Sequence, residues 1–396
     1  MTRTKFSPKY TFAMHKPHIV LTGAVNAGKS TLFNRLLRQD FTLVSPRPGT
    51  TTDAVSKAFE LPGFGAVVLT DTPGLEDQTS LGALRVETAM RAIREADLVL
   101  FVSKGGVTRG LDIARQCTKA PILPVCVGGE ESPSDCSSLE QIAGCPAVRL
   151  TDDDLTPLLD AVKALLEKTV ASAPATLTGN LVRKGDTVLL VMPQDSEAPE
   201  GRLILPQVRV TRELLDKHCV ILSVQPQELG DALSRLKEPP ALIITDSQKF
   251  AEVEKLCPDG VPLTSFSVLM SAYKGDLEGL LSGAEALDRL TEKSRVLVAE
   301  ACAHVPNGED IGTVKIPRLL RKRFGTGLHI DFVTGKDFPR DLSEYDLVIH
   351  CAACMFNRGH LLARQSEAST QGVPMTNYGI AIAKLLGILP KVALPE

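Results

Sequence analysis

The sequence predicts an α/β fold, with a parallel sheet near its N-terminal end and two further α/β segments behind it. Three observations carry that expectation. Short apolar runs alternate with helical patterns along residues 17–170, as a parallel sheet with crossover helices requires. Gly23-x-x-x-x-Gly28-Lys29-Ser30 lies between a strand-like HIVLTG and a helical GKSTLFNRLLRQ, the context of a phosphate-binding loop. A chain of 396 residues also exceeds one compact core, so two or three domains are expected.

In order, HIVLTG reads as a strand, GAVVLTDTPG as a second strand ending in a loop, and ADLVLFVSK and PILPVCVGG as two more. VASAPATLTGN, residues 170–180, is small, polar and interrupted by proline, which marks a linker. GDTVLLVMP then reads as a strand, TRELLDKHCVILSV as a helix running into a strand, and PPALIITDSQ as another strand. SRVLVAEACAH, IPRLLRKRFG, LHIDFVTG, YDLVIHCAAC and GIAIAKLLGIL complete a third α/β segment. The expected domains are 1–173, 180–268 and 269–396, and no repeat or low-complexity segment is visible.

Apolar content of 43% and charged content of 23% are ordinary for a globular protein. A net charge of −3 gives no support to a nucleic-acid or anionic-membrane partner. The start has no apolar core followed by a cleavage site, and no run approaches the roughly 18 apolar residues of a membrane span. The expected location is therefore the cytoplasm, where the nine cysteines should be mostly reduced. Cys117, Cys126, Cys136, Cys145, Cys219 and Cys257 have no neighbour suited to ligation and read as incidental thiols.

In the phosphate loop, glycines let backbone N–H groups converge on phosphate oxygens at the positive end of a helix dipole. Gly23, Asn26, Ala27, Gly28, Lys29, Ser30 and Thr31 are the expected nucleotide contacts, with Lys29 reaching the β- and γ-phosphates and Ser30 holding Mg²⁺. Asp71-Thr72-Pro73-Gly74 ends a strand at Walker B spacing, which aims Asp71 at the metal and the Gly74 amide at the γ-phosphate. PGTTTD, 48–53, offers Thr51 as a switch-loop ligand closing over Mg²⁺. Together these motifs resemble the translation-factor-related GTPases of the Era and tRNA-modifying type. In potassium-stimulated members of that group an asparagine at the position of Asn26 ligates K⁺; the plainer alternative is a loop residue. Position 75 is leucine rather than glutamine, so no side chain there orients water and unaided hydrolysis should be slow. The guanine-reading Asn-Lys-x-Asp is absent: Gly128-Gly129-Glu130-Glu131 follows the strand, with Glu131 in the aspartate place.

Cys302-x-His304 and, after 45 residues, His350-Cys351-x-x-Cys354 form two ligand groups, each following a strand-like run. Zn²⁺ in a Cys₃His site, an iron–sulfur cluster on three thiolates, and a redox Cys-x-x-Cys are the chemistries open to them. On a chain that begins with a small GTPase domain, this signature resembles the HydF family of [FeFe]-hydrogenase maturation GTPases. GRLILPQVRVTRELLD, LIITDSQ, YKGDL, EDIGTVKIPR, GKDFP, IHCAAC and PMTNYG extend the resemblance over nearly the whole chain. It implies a P-loop GTPase domain with a parallel sheet, a small α/β dimerisation domain, and an α/β domain holding a [4Fe–4S] cluster. Cys302, Cys351 and Cys354 would hold three irons. His304 and His350 would be neighbouring or labile ligands, and Glu309 a candidate for the fourth iron. The implied role is a homodimeric scaffold that takes a diiron precursor from two radical-SAM maturases and passes it to apo-hydrogenase. The competing readings are a nucleotide-regulated structural zinc protein without cargo, and a GTPase that only recruits partners.

Overall fold

The computed structural model describes residues 16–37, 54–75, 82–104, 108, 110–127, 133–150, 154–171, 176–194, 203–301, 310–335 and 337–396. They fall into two compact units, Met1–Ser172 and Ala173–Glu396.

The first unit runs β1 (His18–Gly23), α1 (Lys29–Leu37), β2 (Val55–Leu61), β3 (Gly65–Asp71), α2 (Gly82–Arg94) and β4 (Leu98–Ser103). It continues with α3 (Leu111–Cys117), β5 (Ile122–Val127), α4 (Pro133–Ala143), β6 (Val148–Leu150) and α5 (Thr156–Ala171). The sheet order is β2-β3-β1-β4-β5-β6, parallel except for β2, which pairs antiparallel with β3. β4, LVLFVS, is buried along its whole length because both faces of the sheet are covered, as its unbroken apolar run predicts. Alternate residues feed two cores: Leu21, Phe33, Leu69 and Leu166 on one face, Val20, Ile93, Phe101 and Leu139 on the other. β2 was not expected, since VSKAFEL carries Lys57 and Glu60 and lies mostly at the surface, as edge strands do.

The second unit holds two four-stranded parallel sheets. The first is built from β7 (Thr187–Val191), α6 (Leu205–Asp216), β8 (Val220–Val224), α7 (Leu229–Arg235), β9 (Leu242–Thr245), α8 (Phe250–Glu254), β10 (Leu263–Ser265) and α9 (Phe266–Lys274). The second follows with α10 (Leu277–Ala284), β11 (Arg295–Ala299), α11 (Ile316–Phe324), β12 (His329–Val333), β13 (Leu347–His350), α12 (Arg358–Thr370), β14 (Met375–Asn377) and α13 (Tyr378–Leu385). The orders are β10-β9-β7-β8 and β12-β11-β13-β14. Numbered from its own first strand, each sheet reads 2-1-3-4, so the unit repeats one topology that the sequence hides. The repeat escapes sequence reading because topology constrains only strand length and apolar pattern, not residue identity.

The expected boundary after residue 268 falls inside α9. One apolar cluster, which includes Leu189, Ile243, Val268, Val298, Ile349 and Ile380, joins both sheets. The outer edge of β10 is closed by the C-terminal residues, where Ala393 N–H donates to Leu263 O at 2.8 Å. β8 and β12 end their sheets without a further strand among the described residues, and Val220 and Phe332 are exposed there. No described helix is long and apolar enough to cross a membrane.

Candidate functional site

In the first unit, β1 has β3 on one side and β4 on the other, and their connections run opposite ways. That reversal opens a crevice at the carboxyl ends of the strands, the usual ligand position of an open α/β sheet. The loop 24–28 crosses the crevice from β1 into α1, whose N-terminus faces it. Gly23 has φ 141, and a Cβ there would stand 2.1 Å from Val102 O, so only glycine lets β1 turn beside β4. Gly74 approaches the loop from the other side: a Cβ on it would lie 2.9 Å from the Val25 nitrogen. Leu75 N–H closes the contact by donating to Gly23 O at 3.3 Å.

Lys29 is buried, and its Nζ donates to Ala24 O at 2.6 Å and Gly23 O at 3.4 Å. Burial lowers its pKa to about 8, although Asp71 opposes the shift. An ammonium so poorly solvated gains strongly from an anionic phosphate. Ser30 Oγ donates to Asp71 Oδ2 at 2.6 Å, which brings the two expected Mg²⁺ ligands together. Asp71 is fully buried, and among the described residues no donor reaches its Oδ1. Burial pushes its carboxyl up, against the pull of the Ser30 hydroxyl and Lys29. A divalent cation is the partner such a carboxylate lacks, so the donor set fits Mg²⁺ and a nucleoside triphosphate. Asn26 (φ 63) and Thr31 lie exposed at the rim, and Ala27 is buried beneath the loop.

The structure therefore gathers Gly23, Asn26, Ala27, Gly28, Lys29, Ser30, Thr31, Asp71 and Gly74 around one loop. Thr51 and Glu131 lie outside the described residues. Leu75 is buried in the core that holds Phe101 and Leu111.

In the second unit the same logic recurs. β11 leads to β12 on one side and β13 leads to β14 on the other, so the order reverses between the neighbours β11 and β13. Cys351 and Cys354 follow β13 directly, and Ala301, the residue before Cys302, follows β11. Cys351 Sγ accepts backbone N–H bonds from Ala301 at 3.1 Å and Ala353 at 3.4 Å. Ala353 itself takes the left-handed φ of 47. Two N–H donors on one sulfur favour its anionic form, the form that binds metal. A Cys351 sulfur so supported has the chemistry of an iron or zinc ligand.

His350 is wholly buried behind the cysteines. Arg364 can only donate, so His350 Nε2 accepts its Nη1–H at 2.7 Å and Nδ1–H donates to Cys351 O at 2.6 Å. Burial and the Arg364 guanidinium lower its pKa to about 3, which keeps it neutral. Both ring nitrogens are engaged, so ligation by His350 requires breaking one of these bonds; the strand pattern did not reveal this. Among the described residues no group of three Cys, His, Asp or Glu side chains could hold a metal ion. Cys302, His304 and Glu309 lie outside the described residues. Burial pushes the thiols of Cys117, Cys145, Cys219 and Cys257 up, which suits incidental cysteines.

Three family models match the chain. A 50S ribosome-binding GTPase model covers residues 18–126, a Hydrogen maturase F dimerization domain 177–275, and a Hydrogen maturase F tetramerization domain 278–395. Among curated proteins, a tRNA modification GTPase MnmE of Roseiflexus castenholzii is 34% identical over 191 residues, 46% of this chain and 38% of its own. A GTPase Der of Chlorobaculum tepidum is 43% identical over 104 residues, 25% of this chain and 24% of its own. The chain spans about a fifth to two fifths of the length of such relatives. Among solved structures, an Aquifex aeolicus Era variant bound to GDP and AlF₄⁻ aligns with 60% of this chain and 97% of its own. The identity is 18% and the TM-score 0.34.

Proposed function

The chain belongs to the HydF family of hydrogenase-maturation GTPases, and from that premise we propose that it is a GTP-binding, slowly GTP-hydrolysing iron–sulfur scaffold. It receives a diiron precursor from two radical-SAM maturases and delivers it to apo-[FeFe]-hydrogenase in the cytoplasm, as a homodimer or larger homo-oligomer. The observation that carries the reading is the Cys351–Cys354 loop at the β11/β13 switch point, with a sulfur already held by two backbone N–H groups. Cys302, Cys351 and Cys354 would bind a [4Fe–4S] cluster, with Glu309 or a histidine near the fourth iron. When bound, such a cluster supplies an iron whose outer ligand is replaceable, as attachment and release of cargo require.

The residues of the first unit divide the nucleotide work. Lys29 and the amides of residues 26–30 bind and orient the phosphates, and Asp71 with Ser30 places Mg²⁺. The Gly74 amide would donate to a γ-phosphate oxygen, and Thr51 would close over the metal. Nucleotide state would then bias partner docking through the switch loops. The test is transfer. Protein from cells expressing both maturases is mixed with apo-hydrogenase, and H₂ evolution is followed. Wild-type protein is expected to activate it, and Cys351→Ser to fail while still hydrolysing GTP. Activation by Cys351→Ser would instead favour the GTPase that only recruits partners.

Two further outcomes concern the nucleotide. With Asn26 as a K⁺ ligand, hydrolysis in KCl should exceed that in NaCl by about tenfold, roughly 1.4 kcal/mol of barrier; equal rates would remove the potassium role. Base selectivity should be modest, because the full carboxylate-to-guanine contact is worth about 1–3 kcal/mol and here only Glu131 offers it. ATP or ITP should compete with GTP within roughly ten- to a hundredfold. A Glu131→Ala protein with unchanged GTP affinity would show that this carboxylate does not read the base.

A further inference from the structure

Lys274, the last residue of α9, is 1% exposed, yet it lies in the half of the unit that precedes the cysteines. Its Nζ donates to Ala353 O at 2.7 Å, Cys354 O at 2.9 Å and Phe356 O at 2.6 Å. An ammonium has three N–H donors, so one loop consumes them all. The contact is returned from the far end of the loop. Arg358 Nη1 donates to Tyr273 O at 2.8 Å and Gly275 O at 3.5 Å, the carbonyls on either side of Lys274. Gln365 on α12 adds a reciprocal pair with the Asp276 backbone, at 2.9 and 3.1 Å.

The Lys274 side chain thus ties three carbonyls of the cysteine loop to the end of α9. Among the described residues no carboxylate pairs with Lys274.

We propose that Lys274 is a positioning residue of the metal site: it fixes the 353–356 backbone so that Cys351 and Cys354 present their sulfurs together. The site is then built jointly by the regions 177–275 and 278–395. This inference rests on the iron–sulfur reading of the cysteines.

The test uses the full chain with Lys274→Met and Lys274→Arg. In metal-free protein, amide hydrogen exchange over 351–357 is expected to quicken about tenfold or more in Lys274→Met, while β9 stays protected. After anaerobic reconstitution, a ferrous chelator should strip iron about 10- to 100-fold faster than from wild type, the usual cost of losing a group that orients ligands. Alkylation of the half-buried Cys257 checks the fold of the unit. If Lys274→Met exposes Cys257, Lys274→Arg decides: its planar fork cannot serve three converging carbonyls, so loop exchange should still rise at least about threefold. Loop exchange and iron release within twofold of wild type, in a folded variant, overturn the proposal. A wild-type protein that takes up no iron overturns the iron–sulfur reading instead, and exchange in the metal-free protein still decides what Lys274 does.

Discussion

Lys29→Ala is expected to lower GTP turnover by about 10²- to 10³-fold or more, to the background of the assay, the loss seen when one charge-stabilising donor leaves a buried site. Lys29 is the buried cation of the loop, and burial holds its pKa near 8. Its ammonium is poorly solvated, with the carbonyls of Gly23 and Ala24 as its hydrogen-bond partners. Alanine therefore removes an unfavourably buried charge from the free domain but the main counter-charge from the bound phosphates. Thermal unfolding of the first unit should be unchanged or slightly raised, and iron content should stay at the wild-type value. Turnover within tenfold of wild type would mean that the loop does not act on the γ-phosphate.

Cys351→Ser, and likewise Cys354→Ser and Cys302→Ser, should each reduce bound iron to less than about a tenth of wild type. Serine replaces a soft thiolate with a hard oxygen that scarcely ionises at neutral pH. At position 351 the hydroxyl can still accept the N–H groups of Ala301 and Ala353 that now reach the sulfur. Stability should then change by no more than about 1 kcal/mol, the net worth of one such bond. Iron counted by colorimetry and thermal unfolding of the same samples separate ligand loss from fold loss. Full iron occupancy in the serine proteins would take these residues out of the ligand set.

Much of the α/β layout was legible because its central strands are buried on both faces and read as unbroken apolar runs, as HIVLTG and LVLFVS do. What escaped sequence reading lies at edges and in three-residue strands. β2 is charged and exposed; β6, β10 and β14 are too short to show a period. The phosphate loop was legible because its glycines answer steric limits written into local spacing, such as Gly23 against Val102 O. The support of the cysteine loop was not. Lys274 acts on residues 79 to 82 positions away and Arg364 on one 14 away, and no local pattern records such a reach across a core. His350 illustrates the difference: its place beside Cys351 suggested a neighbouring or labile ligand, but not that Arg364 engages one of its nitrogens.

The central claim is that one chain joins a nucleotide switch to an iron–sulfur scaffold, and metal analysis of anaerobically purified wild-type protein tests it most directly. Reconstitution with iron and sulfide is expected to give about four irons per chain, a brown protein and, on reduction, the paramagnetic signal of a [4Fe–4S] centre. Stoichiometric zinc that resists iron reconstitution would contradict it and establish the structural zinc reading in its place.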